Sequence, residues 1–203
     1  MMKIILTVLL ALVALTGQGQ EVKMNEPSFS DYLTLLHFKG YKAYSFDISM
    51  FEGKRAKLVV KECSNGKEIH DNLLANFLFT LPIHDKLVIG FVPTEKDSTS
   101  QYVFELTGGG TFSLPLNLRP IPGISGDVPH YQYESVPFEL VPPFKVGEFI
   151  PFVLYGSWWY DEAFNITRFC GDDSGDDFIK PDLSSSILKD IPHYFVLGIV
   201  VEE

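Results

Sequence analysis

The chain of 203 residues carries 26 Asp and Glu against 16 Lys and Arg, a net charge of −10 at pH 7, and 46% of it is apolar. That is enough for one domain with a sizeable core. No cluster of Lys or Arg supplies the basic face that phosphate neutralisation needs, which argues against nucleic acid and against an anionic membrane surface as partners.

The N-terminus reads as a secretory signal peptide. Met1 to Lys3 form a short basic start, residues 4–15 an apolar run, and residues 16–20 supply the small and polar positions before a cut near Gly19 or Gln20. The run is too short to span a bilayer as a helix, and no cysteine follows it to accept a lipid. The expectation is an exported protein, periplasmic or extracellular and not a lipoprotein. Residues 1–20 are removed, and residues 21–203 form a single domain with no membrane insertion.

Beyond the signal, apolar residues recur at period two or in short runs closed by Gly, Pro, Asn or Asp, the mark of strands. An i, i+3, i+4, i+7 pattern at Phe29, Tyr32, Leu33 and Leu36 first predicts a helix behind Ser28, stopped near Gly40. Residues 41–48 alternate, and residues 55–63 run into Asn65-Gly66, a pair suited to a tight hairpin returning through Glu68 and Ile69. Residues 69–78 suit a helix or, at their Phe77-Leu78-Phe79 end, a strand. Residues 87–92 read as a strand before Pro93, and residues 101–106 and 111–114 as a hairpin around Gly108-Gly109-Gly110. Seven of the thirteen prolines lie in residues 115–143. Proline cannot donate to a strand ladder, so much of this stretch is expected to be extended, irregular or at a sheet edge, a long connection packed over one domain, with a linker between two domains as the alternative. Strands at 149–159, 165–170 and 194–201 follow, with a short helix at 182–190 begun by Asp182 and ended by Pro192. The fold class is mainly β, with α+β as the variant: an antiparallel β-sandwich-like domain with one to three short helices.

Catalytic motifs are absent. The five histidines, His37, His70, His84, His130 and His193, form no HExxH or HxH and no pair at metal-ligand spacing, so neither metal nor cofactor is expected. Gly123-Ile124-Ser125-Gly126 lacks the spacing of a nucleophile elbow. His70-Asp71 and His84-Asp85 are adjacent, and neighbours on a strand point opposite ways. The glycine triplet lacks the lysine of a phosphate loop. A pair of acidic catalysts brought together by the fold stays open, because any Asp and Glu can meet in space.

The candidate site is GSWWYDEAFNITRFCGDDSGDD, residues 156–177, which holds both tryptophans and six acidic residues. Side chains alternate along a strand, so Trp158 and Tyr160 face one way and Trp159 the other with Tyr155 and Ser157. The reading puts Trp159 in the core. Trp158 and Tyr160 are then partly exposed beside the turn of Asp172, Asp173 and Asp176, as ligand-binding candidates; two buried rings are the alternative. Placing Asp172, Ser174 and Asp176 at EF-hand positions one, three and five would put Asp177 where glycine is needed and Leu183 where glutamate is needed. The EF-hand reading fails, which leaves a weak calcium site on the loop or a solvated turn. Asn165-Ile166-Thr167 matches an N-glycosylation acceptor, which matters only on a eukaryotic secretory route. After export, Cys63 and Cys170 are candidates for one disulfide or for two buried thiols.

The segments GYKAYSFDIS, KECSNGKEI, FIPFVLYGSWWYDEAFNITRFCG and ILKDIPHYFVLGI resemble an uncharacterised family of secreted proteins of similar length from gut Gram-negative anaerobes. The resemblance implies export and carries no assigned activity or site residue. The reading that follows is a non-catalytic secreted binding module for a carbohydrate or peptide. A structural or protein-interaction domain and, further off, a carboxylate-based hydrolase are the alternatives. Oligomeric state is not written in the sequence.

Overall fold

The computed structural model describes residue 24 and residues 26–71, 80–107, 110–124, 129–169, 179–180 and 182–203. Residues 1–20, expected to be a signal peptide, together with Cys170, Asp172, Asp173 and Asp176, lie outside the described residues. The chain divides into two compact units, residues 1–35 and residues 36–203. A helix α1 (Phe29–Phe38) starts in the first unit. Its first turn is capped by Ser28, whose amide and hydroxyl both donate to Asp31 Oδ2 at 2.7 Å. None of its side chains is buried, and Gly40, at φ +83°, ends it as predicted.

The second unit is mainly β. Strands β1 (Lys42–Asp47), β5 (Lys86–Pro93), β6 (Thr99–Leu106) and β7 (Gly110–Asn117) form a four-stranded antiparallel sheet in the order β1-β5-β6-β7. A six-stranded antiparallel sheet takes the order β3-β2-β12-β9-β8, with β4 also paired to β2. Its strands are β2 (Arg55–Ser64), β3 (Lys67–Asp71), β4 (Thr80–Pro82), β8 (Tyr133–Pro137), β9 (Phe149–Ser157) and β12 (Tyr194–Glu202). A separate hairpin joins β10 (Trp159–Asp161) to β11 (Ile166–Arg168). The β2–β3 turn is the Asn65-Gly66 turn, with both residues at positive φ.

The two sheets face each other across one core. Leu87, Ile89, Phe91, Tyr102, Phe104 and Leu106 come from the four-stranded sheet; Val60, Ile150, Phe152, Phe195, Leu197 and Ile199 come from the six-stranded sheet. Ring pairs tie the layers: Phe46 lies 4.8 Å edge-on to Phe152, and Phe91 stacks on Tyr155 at 4.4 Å. A second core covers the other face of the six-stranded sheet, where Cys63, Leu154, Tyr194 and Val196 meet Phe138, Ile179, Leu188 and Ile191. Strands β9 and β12 are therefore buried on both faces, which explains their near-continuous apolar sequences. At Gly198 the β9–β12 register shifts by a bulge. A Cβ there would lie 2.2 Å from the Ile150 carbonyl oxygen, so only glycine fits. Side chains close one flank between the edge strands: Lys42 pairs with Glu134 at 2.5 Å, and Tyr44 Oη donates to the Ser135 carbonyl at 2.8 Å.

Three readings need correction. The strand expected through residues 149–159 breaks at Trp158, and Trp159 opens β10. The Pro-rich stretch 115–143 is not all connection. It contains the end of β7, with Pro115 on an edge strand where a missing donor is tolerated, and the whole of β8. The helix expected at residues 182–190 is a turn, with Asp182 Oδ1 accepting from the Ser184 amide, followed by a 3-10 segment Ser186–Lys189. Of the stretch 69–78, residues 69–71 belong to β3 and the rest lies outside the described residues.

Candidate functional site

At one end of the six-stranded sheet the chain leaves β9, crosses Trp158 and enters β10. The Trp158 amide donates to the Gln132 carbonyl at 2.8 Å, which extends the β8–β9 pairing past Tyr133↔Ser157. The backbone turns each residue to the opposite side of its neighbour. Ser157 and Trp159 are buried, the latter at 7% exposure, while Trp158 and Tyr160 are half-buried. Trp159 belongs to the second core, with the Arg168 guanidinium 5.8 Å from its ring centre. Tyr160 is held by its hydroxyl, which donates to Asn165 Oδ1 at 2.6 Å, and a Cβ added at Gly123 would lie 3.5 Å from its ring. Tyr131 lies half-buried two residues before β8. Asp161 is paired with Arg168 at 2.7 Å and accepts from the Ala163 amide. Trp158 and Tyr160 are thus both half-buried, while the acidic residues expected beside them lie outside the described residues.

A second constellation was not anticipated. Glu62 on β2, Tyr133 on β8 and His193, just before β12, project from the inner face at the same end of the sandwich, and Arg119 reaches in from the segment after β7. His193 is 1% exposed. Its Nε2 lies 3.0 Å from Glu62 Oε1 and its Nδ1 2.5 Å from Tyr133 Oη. A carboxylate only accepts, so Nε2 carries the proton and donates to Glu62, leaving Nδ1 to accept from the Tyr133 hydroxyl. Tyr133 Oη accepts the Arg119 amide at 3.0 Å, and Arg119 Nη2 donates to Glu62 Oε1 at 3.0 Å. The hydrogen bonds close a ring.

Burial governs the acid–base character of this ring. Desolvation is the first cause that lowers the His193 pKa, outweighing the Glu62 hydrogen bond that raises it. The same desolvation pushes the Tyr133 hydroxyl up. A neutral imidazole with both nitrogens engaged and a tyrosine that resists ionisation offer neither a free base nor a nucleophile. Ser157 does not complete a serine–histidine pair, since its hydroxyl accepts the His193 backbone amide at 3.3 Å while the ring bonds elsewhere. No local motif could have revealed the ring, because His193 is 131 positions from Glu62 and 60 from Tyr133. Among the described residues no three of His, Cys, Asp or Glu gather as metal ligands, and no helix is long and apolar enough to cross a membrane.

Cys63 lies in the second core beside Tyr194, and burial pushes its thiol up to about 11. Its proposed partner, Cys170, lies outside the described residues.

Residues 80–203 match the family described as a domain of unknown function (DUF5041). The chain belongs to that family. The matched span holds Trp158, Tyr160, Arg119, Tyr133 and His193, but not Glu62. It also excludes β1 and β2, the strands bonded to β5 and β12, so the two-sheet core draws on residues upstream of the match. No curated protein and no solved structure matches the chain.

Proposed function

We propose that the protein is exported and acts as a non-catalytic binding domain that takes a carbohydrate against the rim of Trp158 and Tyr160. The observation that carries this reading is the alternation of wet and dry aromatics. Trp158 and Tyr160 each keep part of a ring in solvent, and Trp159 between them anchors the backbone in the core. Rigid, partly exposed aromatic rings bind sugar faces with little ordering cost. The Tyr160 hydroxyl, fixed on Asn165, adds a polar group of defined position. The saturated ring around His193 supports binding over hydrolysis, because its acid–base groups are already committed to one another.

The test is calorimetric titration of the exported protein with a panel of soluble glycans, followed by Trp158→Ala. A glycan that binds the parent and not the variant, at unchanged fold, supports the reading. Glycan binding that survives both Trp158→Ala and Tyr160→Ala, or a panel with no binder at all, rejects it. A protein-interaction domain is the second reading, favoured by Phe164 and Ile166, which are 69% and 49% exposed on the β10–β11 hairpin. Its mark is binding lost in Phe164→Ser and kept in Trp158→Ala.

A further inference from the structure

One carboxylate oxygen, Glu62 Oε1, serves two nitrogen donors, Arg119 Nη2 and His193 Nε2, each at 3.0 Å. The donors differ in access to water: the His193 side chain is 1% exposed and that of Arg119 49%. While the imidazole is neutral, Arg119 is the charged member of this pair of donors. A protonated imidazole would bring a second cation to the same atom. His193 cannot withdraw, since its ring packs edge-on to Phe195 at 4.8 Å and its backbone exchanges hydrogen bonds with Ser157. Arg119 can, because solvent accepts its guanidinium.

Protonation also acts on the other ring nitrogen. Nδ1 would become a donor, so the Tyr133 hydroxyl could no longer donate to it and would turn towards the Arg119 carbonyl at 3.4 Å, a long contact. Tyr133 Oη would then receive both Nδ1–H and the Arg119 amide. The side-chain attachment of Arg119 to Glu62 weakens, while its backbone keeps the Tyr133 hydroxyl as partner. The groups facing His193 are Glu62 from β2, Arg119 from residues 118–124 and Tyr133 from β8, with Tyr155 of β9 behind Tyr133; Ser157 and Phe195 carry no charge.

We propose that the His193 proton and Arg119 compete for Glu62 Oε1, so that protonating His193 weakens the hold of Glu62 on the Arg119 guanidinium. The inference does not depend on what the aromatic rim binds. The coupling is reciprocal: whatever Arg119 costs the proton, the proton costs Arg119.

The experiment is an NMR titration of the histidine rings in the full chain, with the His193 signal identified by its loss in His193→Gln. Arg119→Gln is expected to raise the His193 midpoint by on the order of half to one pH unit, and Glu62→Gln to lower it. A midpoint unmoved by Arg119→Gln overturns the proposal. So does an imidazole that stays neutral down to acid unfolding.

Discussion

Replacing the two tryptophans one at a time separates a core residue from a rim residue. Trp159 is 7% exposed and packs with Phe169, Leu154 and Ile191 in the second core, so Trp159→Ala removes a buried indole and leaves a cavity. Such truncations cost about 3–5 kcal/mol. Losing the Arg168 contact at 5.8 Å adds roughly 0.5 kcal/mol, held at the low end because Arg168 is 41% exposed. For a chain of this size each kcal/mol moves the melting temperature by about 2–4 °C, so a fall of about 10 °C is expected. Trp158 is half-buried and has less apolar area to lose, so Trp158→Ala should cost about 1 kcal/mol and a few degrees. Since the chain has two tryptophans, each variant also reports on the one that remains. In Trp158→Ala the surviving Trp159 should emit at short wavelength and resist acrylamide. In Trp159→Phe, chosen to keep the fold, the surviving Trp158 should be redder and more freely quenched. The reasoning is refuted if Trp158→Ala melts lower than Trp159→Ala, or if both remaining indoles are quenched alike.

Other outcomes follow from the same structure. Gly198→Ala places a Cβ 2.2 Å from a backbone oxygen in the central strand pair, which must shift; a loss of at least about 2 kcal/mol is expected in urea unfolding, and a neutral result would contradict the bulge geometry. His193 has a lowered pKa in the fold, so below its unfolded value of about 6.5 the unfolded chain binds the proton first. Stability should therefore fall as pH drops through about 6.5, and that part of the slope should vanish in His193→Gln, measured by thermal melts across pH. Cys63, with its thiol pushed up to about 11 inside the core, should ignore thiol reagents at neutral pH in the native protein. In the denatured, unreduced protein, two reactive thiols would mean that Cys63 and Cys170 are not bonded, and none would mean that they are. Tyr44→Phe removes the hydroxyl that donates to the Ser135 carbonyl between β1 and β8, and should cost about 1 kcal/mol in the same unfolding assay, with a wild-type midpoint counting against that closure of the flank.

What the sequence determined by itself is local. Period-two alternation at residues 41–48, the Asn-Gly turn at 65–66 and the glycine stop at 40 each depend on neighbours within a few positions, and each is where the pattern put it. The helix at Phe29–Phe38 was legible for the same reason. Alternation also put Trp158 and Trp159 on opposite sides of the chain, and Trp159 is the one in the core. Where tertiary contacts override local preference, the reading stopped. Strand β8 hides among prolines because its value lies in pairing with β9 and in what Tyr133 and Ser135 reach across the sandwich. The break at Trp158 comes from the hairpin that β10 makes with β11, a partner choice that alternation cannot express. The ring of Glu62, Arg119, Tyr133 and His193 was beyond any spacing rule. It exists only because β2, β12, β9 and β8 lie side by side and bring to one end of a sheet four residues that the chain keeps far apart.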